Sequence, residues 1–309
     1  MENANKGMIV SLASLVAARG EARRLGLGSG GRILSTRMGS HLSPFRGPGA
    51  EHDESRIYVP GDDPRHMDWR VTARTARAHV KVYRDERERP LWLIVDQGLS
   101  MRFGTRVAFK SVIAARACAL LGWAGVEHGD RVGGLVFDEQ SRNEQIPATR
   151  QRGLLPLLRA LTPIQRRGRQ PGCTSIAEAA MLLHRQIRPG SLVFIISDFN
   201  ATTMENTAWL TRLCSHSEVV LVSVHDPIEE HAPPPGRYPV IQDQGGHYLL
   251  DSRDASRRAR YESCFQNRLA LLEHLAYRYA AHLLILRTDW PVGSALARGL
   301  GQRTGKTRQ

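Results

Sequence analysis

Two apolar runs that end in aspartate constrain the fold of this chain more than any other feature. LWLIVD (91–96) and SLVFIISD (191–198) are rich in aliphatic residues and carry no charge before the final carboxylate. Such near-continuous apolar runs are typical of parallel strands that are buried on both faces. Parallel strands end at the same edge of a sheet, so Asp96 and Asp198 are expected to lie close together although they are far apart in sequence.

The segments around these two runs predict an α/β fold. The predicted strands are 131–137, 144–147, 218–224 and 282–288, and the predicted helices are 105–126, 152–161, 175–187, 204–214 and 256–280. Because helices alternate with strands, we expect a doubly wound, mainly parallel sheet flanked by helices. A β-hairpin is expected over 237–251, turning at Gly245-Gly246.

The beginning of the chain differs in character from this alternating region. Residues 1–24 predict a short amphipathic helix, 26–50 a Gly/Ser/Pro-rich connector, and 56–90 a compact unit of two strands and a short helix. We therefore divide the chain into three parts. They are a small N-terminal α+β extension packed on the core (1–90), an α/β domain (91–300) and a flexible tail (301–309).

Four oxygen-bearing side chains are expected to meet at the carboxyl edge of the sheet. They are Asp96, Ser100, Thr174 and Asp198. Hard divalent cations such as Mg²⁺ and Mn²⁺ prefer oxygen ligands and often retain waters. A metal-free edge is the alternative, because Asp accepts hydrogen bonds from loop amides and Ser or Thr caps helix N-termini. The residues themselves leave both interpretations open.

In this region the chain resembles the von Willebrand factor type A fold and its metal-ion-dependent adhesion site. That family's pattern is Asp-x-Ser-x-Ser on the first loop, then Thr, then Asp. Asp96, Ser100, Thr174 and Asp198 match it in order, and GDRVGGLVFDE (129–139) resembles the family's second strand. The first serine is replaced by Gly98. The resemblance therefore implies a Mg²⁺ or Mn²⁺ site from which one direct ligand is missing.

Residues 52–89 carry a second resemblance, to the bacterial domain-of-unknown-function family fifty-eight. The matching residues are Arg56, Tyr58, Gly61, Asp62, Asp63, Arg65, Asp68, Trp69, Ala73, Arg74, Val80, Lys81, Tyr83 and Glu86. The pattern runs unbroken into the first apolar strand, so the match is specific.

The polar part of this signature has two interpretations. Its members are Asp62, Asp63, Arg65, Asp68, Trp69 and Arg74. In the first, it is a cap that specifies the fold, in which Arg–carboxylate pairs fix how the unit sits on the sheet and Trp69 is its apolar anchor. The alternative is a docking surface for another protein, with Asp62, Asp63 and Arg65 exposed.

The chain is strongly basic, with a net charge of +13, and only four of its cationic residues are lysines. This charge permits binding to nucleic acid or to an anionic membrane. The arginines are spread along the chain, however, and the clusters at 165–169 and 256–260 lack the aromatic residues that would stack on bases. Nucleic-acid or membrane binding is therefore the alternative function rather than the first.

The sequence contains no combination of residues typical of an enzyme. No phosphate-binding loop, dinucleotide fingerprint or zinc-protease motif is present, and no base is placed for a catalytic hydroxyl. We therefore expect no catalysis, with a metal-assisted hydrolase as the weakest alternative. No apolar run reaches eighteen residues, so the sequence predicts no transmembrane helix and we expect a cytoplasmic protein.

The second resemblance also implies a partner. Proteins of that family are commonly encoded beside MoxR-type AAA+ ATPases and other type A domain proteins, and are thought to act with the ATPase in protein maturation or stress response. What the resemblance implies is a non-enzymatic adaptor that presents its sheet edge to the ATPase or to a client protein.

Overall fold

The computed structural model describes residues 7–25, 52–59, 62–83, 89–162, 170–200, 202–204, 206–241 and 246–301. These residues fall into two compact units. The large unit takes the described parts of Met1–Ser29 and Arg89–Gln309, and the small unit takes those of Gly30–Glu88. The predicted connector, the basic cluster at 165–169, the hairpin turn and nearly all of the tail lie outside the described residues.

The large unit is built on a mainly parallel sheet. Its strands, in chain order, are β3 (Pro90–Asp96), β4 (Arg131–Phe137), β5 (Ser141–Ala148), β6 (Gln170–Pro171), β7 (Leu192–Ser197), β8 (Glu218–His225) and β11 (His282–Arg287). Across the sheet they lie in the order β11-β8-β7-β3-β4-β5-β6. All neighbours are parallel except at the β5 and β6 end, where pairing is antiparallel. The expected fold class, α/β with a doubly wound, mainly parallel sheet, is confirmed.

The two aspartate-ended runs form adjacent central strands. β3 and β7 pair directly, with Leu91 opposite Leu192 and Val95 opposite Ile196. Every residue of β7 is buried, and so are the five residues of β3 between its ends. This burial on both faces explains why neither run alternates between apolar and polar residues.

Helices cover both faces of this sheet. They are α1 (Leu12–Ala17), α2 (Arg19–Ala22), α4 (Lys110–Glu127), α5 (Gln151–Ala160), α6 (Ile176–Leu183), α7 (Ala208–Cys214), α8 (Pro227–Glu230), α9 (Ala255–Tyr279) and α10 (Val292–Gly301). Within the described part of the chain, no helix combines the length and apolar character needed to cross a bilayer.

Helix α4 is the centre of one face. Fifteen of its eighteen residues are buried, which explains its nearly uniform apolar pattern. The N-terminal segment packs against it as two short helices rather than one, and Trp123 Nε1 donates a hydrogen bond to the Leu15 carbonyl at 3.0 Å. On the other face, α6, α7 and α9 bury a cluster that includes Trp92, Phe199 and Trp209.

Most predicted elements are confirmed within a few residues, and the differences have local causes. Helix α4 begins at Lys110 rather than near 105, because residues 102–109 form a loop. The predicted hairpin is present as β9 (Arg237–Ile241) paired with β10 (His247–Asp251). Helix α10 was not predicted, because its three glycines are poor helix formers.

The small unit contains two strands and one short helix. β1 (His52–Ile57) pairs antiparallel with β2 (His79–Tyr83), and a 3-10 turn (Pro64–His66) leads to α3 (Trp69–Thr75). Helix α3 has no buried residue, whereas Val80 on β2 is buried. The described part of this unit therefore has little apolar core of its own.

Candidate functional site

The structure brings the four predicted edge residues together. Asp96, Ser100, Thr174 and Asp198 all line one open pocket of about 200 Å³. Asp96 ends β3 and Asp198 follows β7, so adjacent parallel strands deliver both carboxylates to the carboxyl edge. The predicted convergence is therefore present in the structure, while the role of these residues is a separate question.

Asp96 is held as a hydrogen-bond acceptor in the pocket wall. Its Oδ2 accepts from the Ser197 hydroxyl at 2.7 Å, and its Oδ1 accepts from the Gly98 amide at 2.8 Å. Burial raises the pKa of this carboxyl to about 6, although the two hydrogen bonds oppose the shift; the nearby charges of Asp198 and Glu139 add to it. Asp96 therefore carries its negative charge at a cost in free energy.

A carboxylate occupies the space that the missing serine would need. A Cβ on Gly98 would lie 2.6 Å from Glu139 Oε1 and 3.1 Å from Asp96 Oδ1. Glu139 Oε1 also accepts a hydrogen bond from the Leu99 amide at 2.8 Å. The glycine therefore does more than remove a ligand, because it admits Glu139 to the pocket. Glu139 was not predicted from the sequence.

Neither of the two hydroxyl residues caps a helix. The Thr174 hydroxyl and amide both donate to Glu178 Oε2, at 3.1 and 2.8 Å. Helix α6 is capped by Ser175, not by Thr174, and Ser100 lies within a 3-10 turn rather than before α4. The capping alternative is therefore wrong for Thr174 and Ser100. Asp96 accepts a hydrogen bond from a loop amide, that of Gly98, as the metal-free alternative predicts.

Asp198 is paired with a buried lysine. Lys110 Nζ lies 2.8 Å from Asp198 Oδ2 and 2.8 Å from Glu229 Oε1. The side chains of Lys110 and Asp198 are 1% and 3% exposed. Asp198 also accepts hydrogen bonds from the amide and the side chain of Asn200. Sequence reasoning assigned Lys110 only to a helical pattern, although its rarity in an arginine-rich chain was an available signal.

These residues do not fit the metal site that the type A resemblance implies. One hydroxyl ligand is absent at Gly98, and an ammonium group already pairs with Asp198. Among the described residues, no group of three or more His, Cys, Asp and Glu side chains is arranged to hold a metal ion. The donor set of this edge differs from an octahedral oxygen site.

The loop between β3 and α4 is hydrogen-bonded to Asp226, which lies at the same edge of the sheet. Asp226, which follows β8, accepts hydrogen bonds from the Thr105 amide at 2.9 Å and from the Thr288 hydroxyl at 2.6 Å. Burial opposes ionisation of Asp226, but its hydrogen bonds outweigh burial and lower its pKa. The loop is therefore held along the carboxyl edge, and it presents Phe103 and Val107 at 42% and 63% exposure.

The signature aspartates cap turns within the small unit. Asp62 accepts from the Val59 amide, Asp63 from the Arg65 amide, and Asp68 from the amides of Arg70 and Val71 at the start of α3. Asp63, Arg65 and Arg74 are exposed, whereas Asp62 is half-buried. Trp69 is 70% exposed and so belongs to no core within this unit, and its expected role as an anchor on the sheet stays a prediction. A first-turn position on a helix with no buried face leaves its ring in solvent.

Comparison with known families agrees with the signature. The family described as "Protein of unknown function DUF58" matches residues 54–269, which is more than half of the chain. The chain belongs to the DUF58 family. Uncharacterized proteins of Mycobacterium tuberculosis and Mycobacterium bovis are each 32% identical to this DUF58 chain over 260 residues, covering 81% of it and 78% of their own length.

Solved structures resemble the DUF58 chain at a low level. The conserved hypothetical protein BatB from Bacteroides thetaiotaomicron has a TM-score of 0.44 and 16% identity, covering 69% of this chain and 97% of its own. A von Willebrand factor type A protein from Catenulispora acidiphila has a TM-score of 0.36 and 12% identity, covering 69% and 43%. Likenesses of this size support no statement about what the DUF58 chain binds.

Proposed function

We propose that this DUF58 protein is a non-enzymatic adaptor that binds a partner protein at the carboxyl edge of its sheet. The observation that carries the proposal is a set of exposed apolar side chains on the loops at this edge. Two loops leave the edge, between β3 and α4 and after β7, and they expose four apolar side chains. These residues, which we call the apolar collar, are Leu99, Phe103, Val107 and Met204, with exposures of 42%, 42%, 63% and 44%.

Exposed apolar groups around a polar pocket are typical of protein-binding surfaces. The collar lies on loops that a rigid scaffold positions, since β3 and β7 are buried central strands and Asp226 fixes the first loop. A partner that buries the collar would lie at the carboxyl edge, where the polar pocket also lies.

The chemistry of the pocket favours binding over catalysis. Its described lining contains no histidine. Burial raises the pKa of the Cys173 thiol to about 11, and the charge of Glu178 adds to the shift, so that the thiol stays protonated at neutral pH. The Thr174 hydroxyl donates to Glu178, which itself is bonded to the loop backbone. The pocket has two hydroxyl–carboxylate pairs, Thr174 with Glu178 and Ser197 with Asp96, and we assign them a structural role in the pocket wall rather than a catalytic one.

The choice of partner follows from the family resemblance rather than from the pocket. We propose a MoxR-type AAA+ ATPase as the partner and the cytoplasm as the place where the two meet. In this role the DUF58 chain links the ATPase to other type A domain proteins or to a client that the ATPase remodels.

A pull-down with a charge placed on the collar tests this function. Tagged wild-type protein, Val107→Asp and Ile146→Asp are each recovered from the cells that produce the chain, and bound proteins are identified and quantified. Ile146 is a matched control because it is 66% exposed and lies on β5 near the residue that pairs with Val132, at the opposite end of β4 from the pocket.

We expect a MoxR-type ATPase to be enriched with wild type and Ile146→Asp and to fall about tenfold with Val107→Asp, because a charge at a buried contact is costly. Absence of the ATPase from the wild-type sample, or equal recovery with both variants, would contradict the proposal.

A further inference from the structure

Lys110 occupies an unusual place for a lysine. It is the first residue of α4, its side chain is 1% exposed, and its ammonium contacts carboxylates from two other elements. Asp198 comes from the end of β7 and Glu229 from α8. A buried lysine is costly unless paired, and here each partner lies at 2.8 Å.

The surroundings keep Lys110 charged. Burial disfavours an ammonium group, and the two carboxylates at 2.8 Å compensate for this cost. The Phe103 ring lies 5.8 Å from Nζ and adds a favourable contact for a cation. Lys110 is thus a buried cation, paired with two carboxylates directly behind the pocket wall.

This charge lies against the aspartate that a metal would need. A divalent ion bound directly to Asp198 would sit within a few ångströms of the ammonium, and the two cations would repel each other. Asp198 and Glu229 both pair with Lys110 already, so neither carboxylate is free to neutralise an added ion. Glu229 Oε2 also accepts the Asp226 amide at 3.0 Å and lies 3.9 Å from Arg268.

We propose that Lys110 is the resident cation of this edge, balancing Asp198 and Glu229 in place of a divalent metal, so that partner binding does not depend on Mg²⁺ or Mn²⁺. The second half of this inference rests on the proposed function, whereas the first half concerns the protein by itself.

Titration with Mn²⁺ tests the first half on the full chain. Wild type and Asp198→Asn are titrated with Mn²⁺ alone, and free Mn²⁺ is followed by electron paramagnetic resonance. The metal site that the type A resemblance implies includes Asp198, so we expect the two titrations to coincide, with binding elsewhere on the protein common to both. A stoichiometric Mn²⁺ site that is present in wild type and lost in Asp198→Asn would overturn the inference.

Removal of the ammonium supplies an independent measurement. Lys110→Met leaves two buried carboxylates without their shared cation, and we expect its melting temperature to fall by roughly 10 °C. The double variant Lys110→Met/Asp198→Asn should regain part of this loss. Equal melting temperatures for wild type and Lys110→Met would overturn the inference. If Lys110→Met does not fold, Lys110→Arg, which retains the charge, is compared with the double variant, and we expect both to fold.

The second half is tested with the partner ATPase free of nucleotide, so that chelation removes no nucleotide-bound metal. Binding is measured in 5 mM MgCl₂ and in EDTA, at roughly the same ionic strength. We expect dissociation constants within about twofold of each other. A complex formed in Mg²⁺ and lost in EDTA would overturn this inference and leave the adaptor proposal intact. No complex in either buffer would count against the adaptor proposal, and the Mn²⁺ titration would then decide the role of Lys110.

Discussion

At the scale of single residues, the buried charge of Asp96 has a cost in folding free energy that depends on pH. Its folded pKa of about 6 lies above the ordinary value of 3.8, mainly because of burial, with Asp198 and Glu139 adding repulsion. A carboxyl whose pKa is raised by folding stabilises the protein most below its unfolded pKa, and this contribution is lost as pH rises through the folded pKa. The relevant window therefore runs from about pH 4 to pH 7.

Replacing Asp96 with asparagine should remove this pH dependence. Asn keeps an acceptor for the Gly98 amide and can donate to Ser197, while it carries no charge. We expect Asp96→Asn to raise the free energy of unfolding by about 2 kcal/mol at pH 8 and by little at pH 4.5. Urea denaturation in EDTA at a series of pH values measures the difference between variant and wild type.

The control for this experiment is Asp254→Asn. Asp254 caps α9 by accepting a hydrogen bond from the Ser256 amide, and the hydrogen bonds from Ser256 lower its pKa. Its difference from wild type should stay constant between about pH 5 and pH 8. A constant difference for Asp96→Asn over the same range would show that the pocket does not penalise the charge of Asp96.

Which site residues the sequence reveals depends on how each reaches the pocket. Asp96 and Asp198 follow strands whose apolar pattern is visible in the sequence, so their convergence follows from parallel pairing. Lys110, Glu139 and Glu229 reach the site through side-chain contacts between elements, and strand or helix periodicity does not encode such contacts. Whether a metal fits the site depends on these contacts, which the sequence does not reveal.

At the scale of secondary-structure elements, the contact between β3 and β4 depends on glycine. Gly134 of β4 pairs with Leu93 of β3, and a Cβ at this position would lie 2.0 Å from the Leu93 carbonyl oxygen. The obstructing atom belongs to the backbone of a central strand, so it cannot move without disturbing the sheet. Two consecutive glycines in a strand pattern therefore mark a close approach of two backbones.

A glycine-to-alanine change at this position should destabilise the sheet. We expect Gly134→Ala to lower the free energy of unfolding by about 3 kcal/mol, because overpacking against a backbone atom forces the two strands apart. Gly20→Ala is the matched control, since no atom lies within 4 Å of its added Cβ and α2 gains a better helix former. Thermal denaturation should separate the two variants, and equal melting temperatures would contradict the close-approach argument.

Element types were predictable where the burial pattern is simple. The sequence identifies β3 and β7 as strands by their continuous apolar runs, and α9 as a helix by its periodicity. The start of α4 was not predictable in the same way. Its first turns are held by tertiary contacts, namely the Lys110 ion pairs and a hydrogen bond from the Phe109 amide to the Gly7 carbonyl. Short elements such as α8 depend on caps and neighbours rather than on periodicity.

At the scale of the whole molecule, the net charge of +13 is the feature that the adaptor proposal explains least. Part of the positive charge is balanced locally. Ion pairs in the described residues join Arg19 to Glu127, Arg89 to Glu218, Arg253 to Asp251, and Arg287 to both Glu230 and Asp289. In the 256–260 cluster, Arg258 donates to the carbonyls of Ser252 and Arg253 and so secures the start of α9.

Salt dependence distinguishes the adaptor from a nucleic-acid or membrane binder. Binding to phosphates through arginines releases counterions, so a complex with six to ten phosphate contacts loses about 10³–10⁵ in affinity between 50 and 200 mM salt. A complex formed mainly by the apolar collar depends far less on salt, because burial of Leu99, Phe103, Val107 and Met204 is non-ionic. We expect the affinity for the ATPase to change less than about tenfold over this range.

Duplex DNA and phosphatidylserine vesicles should bind only at the lower salt concentration. Fluorescence anisotropy with labelled DNA and co-sedimentation with vesicles measure both arms on the same preparation. A dissociation constant for DNA below about 10⁻⁷ M at 200 mM salt would be tighter than ordinary non-specific binding. It would contradict the adaptor proposal and favour nucleic-acid binding by the basic surface.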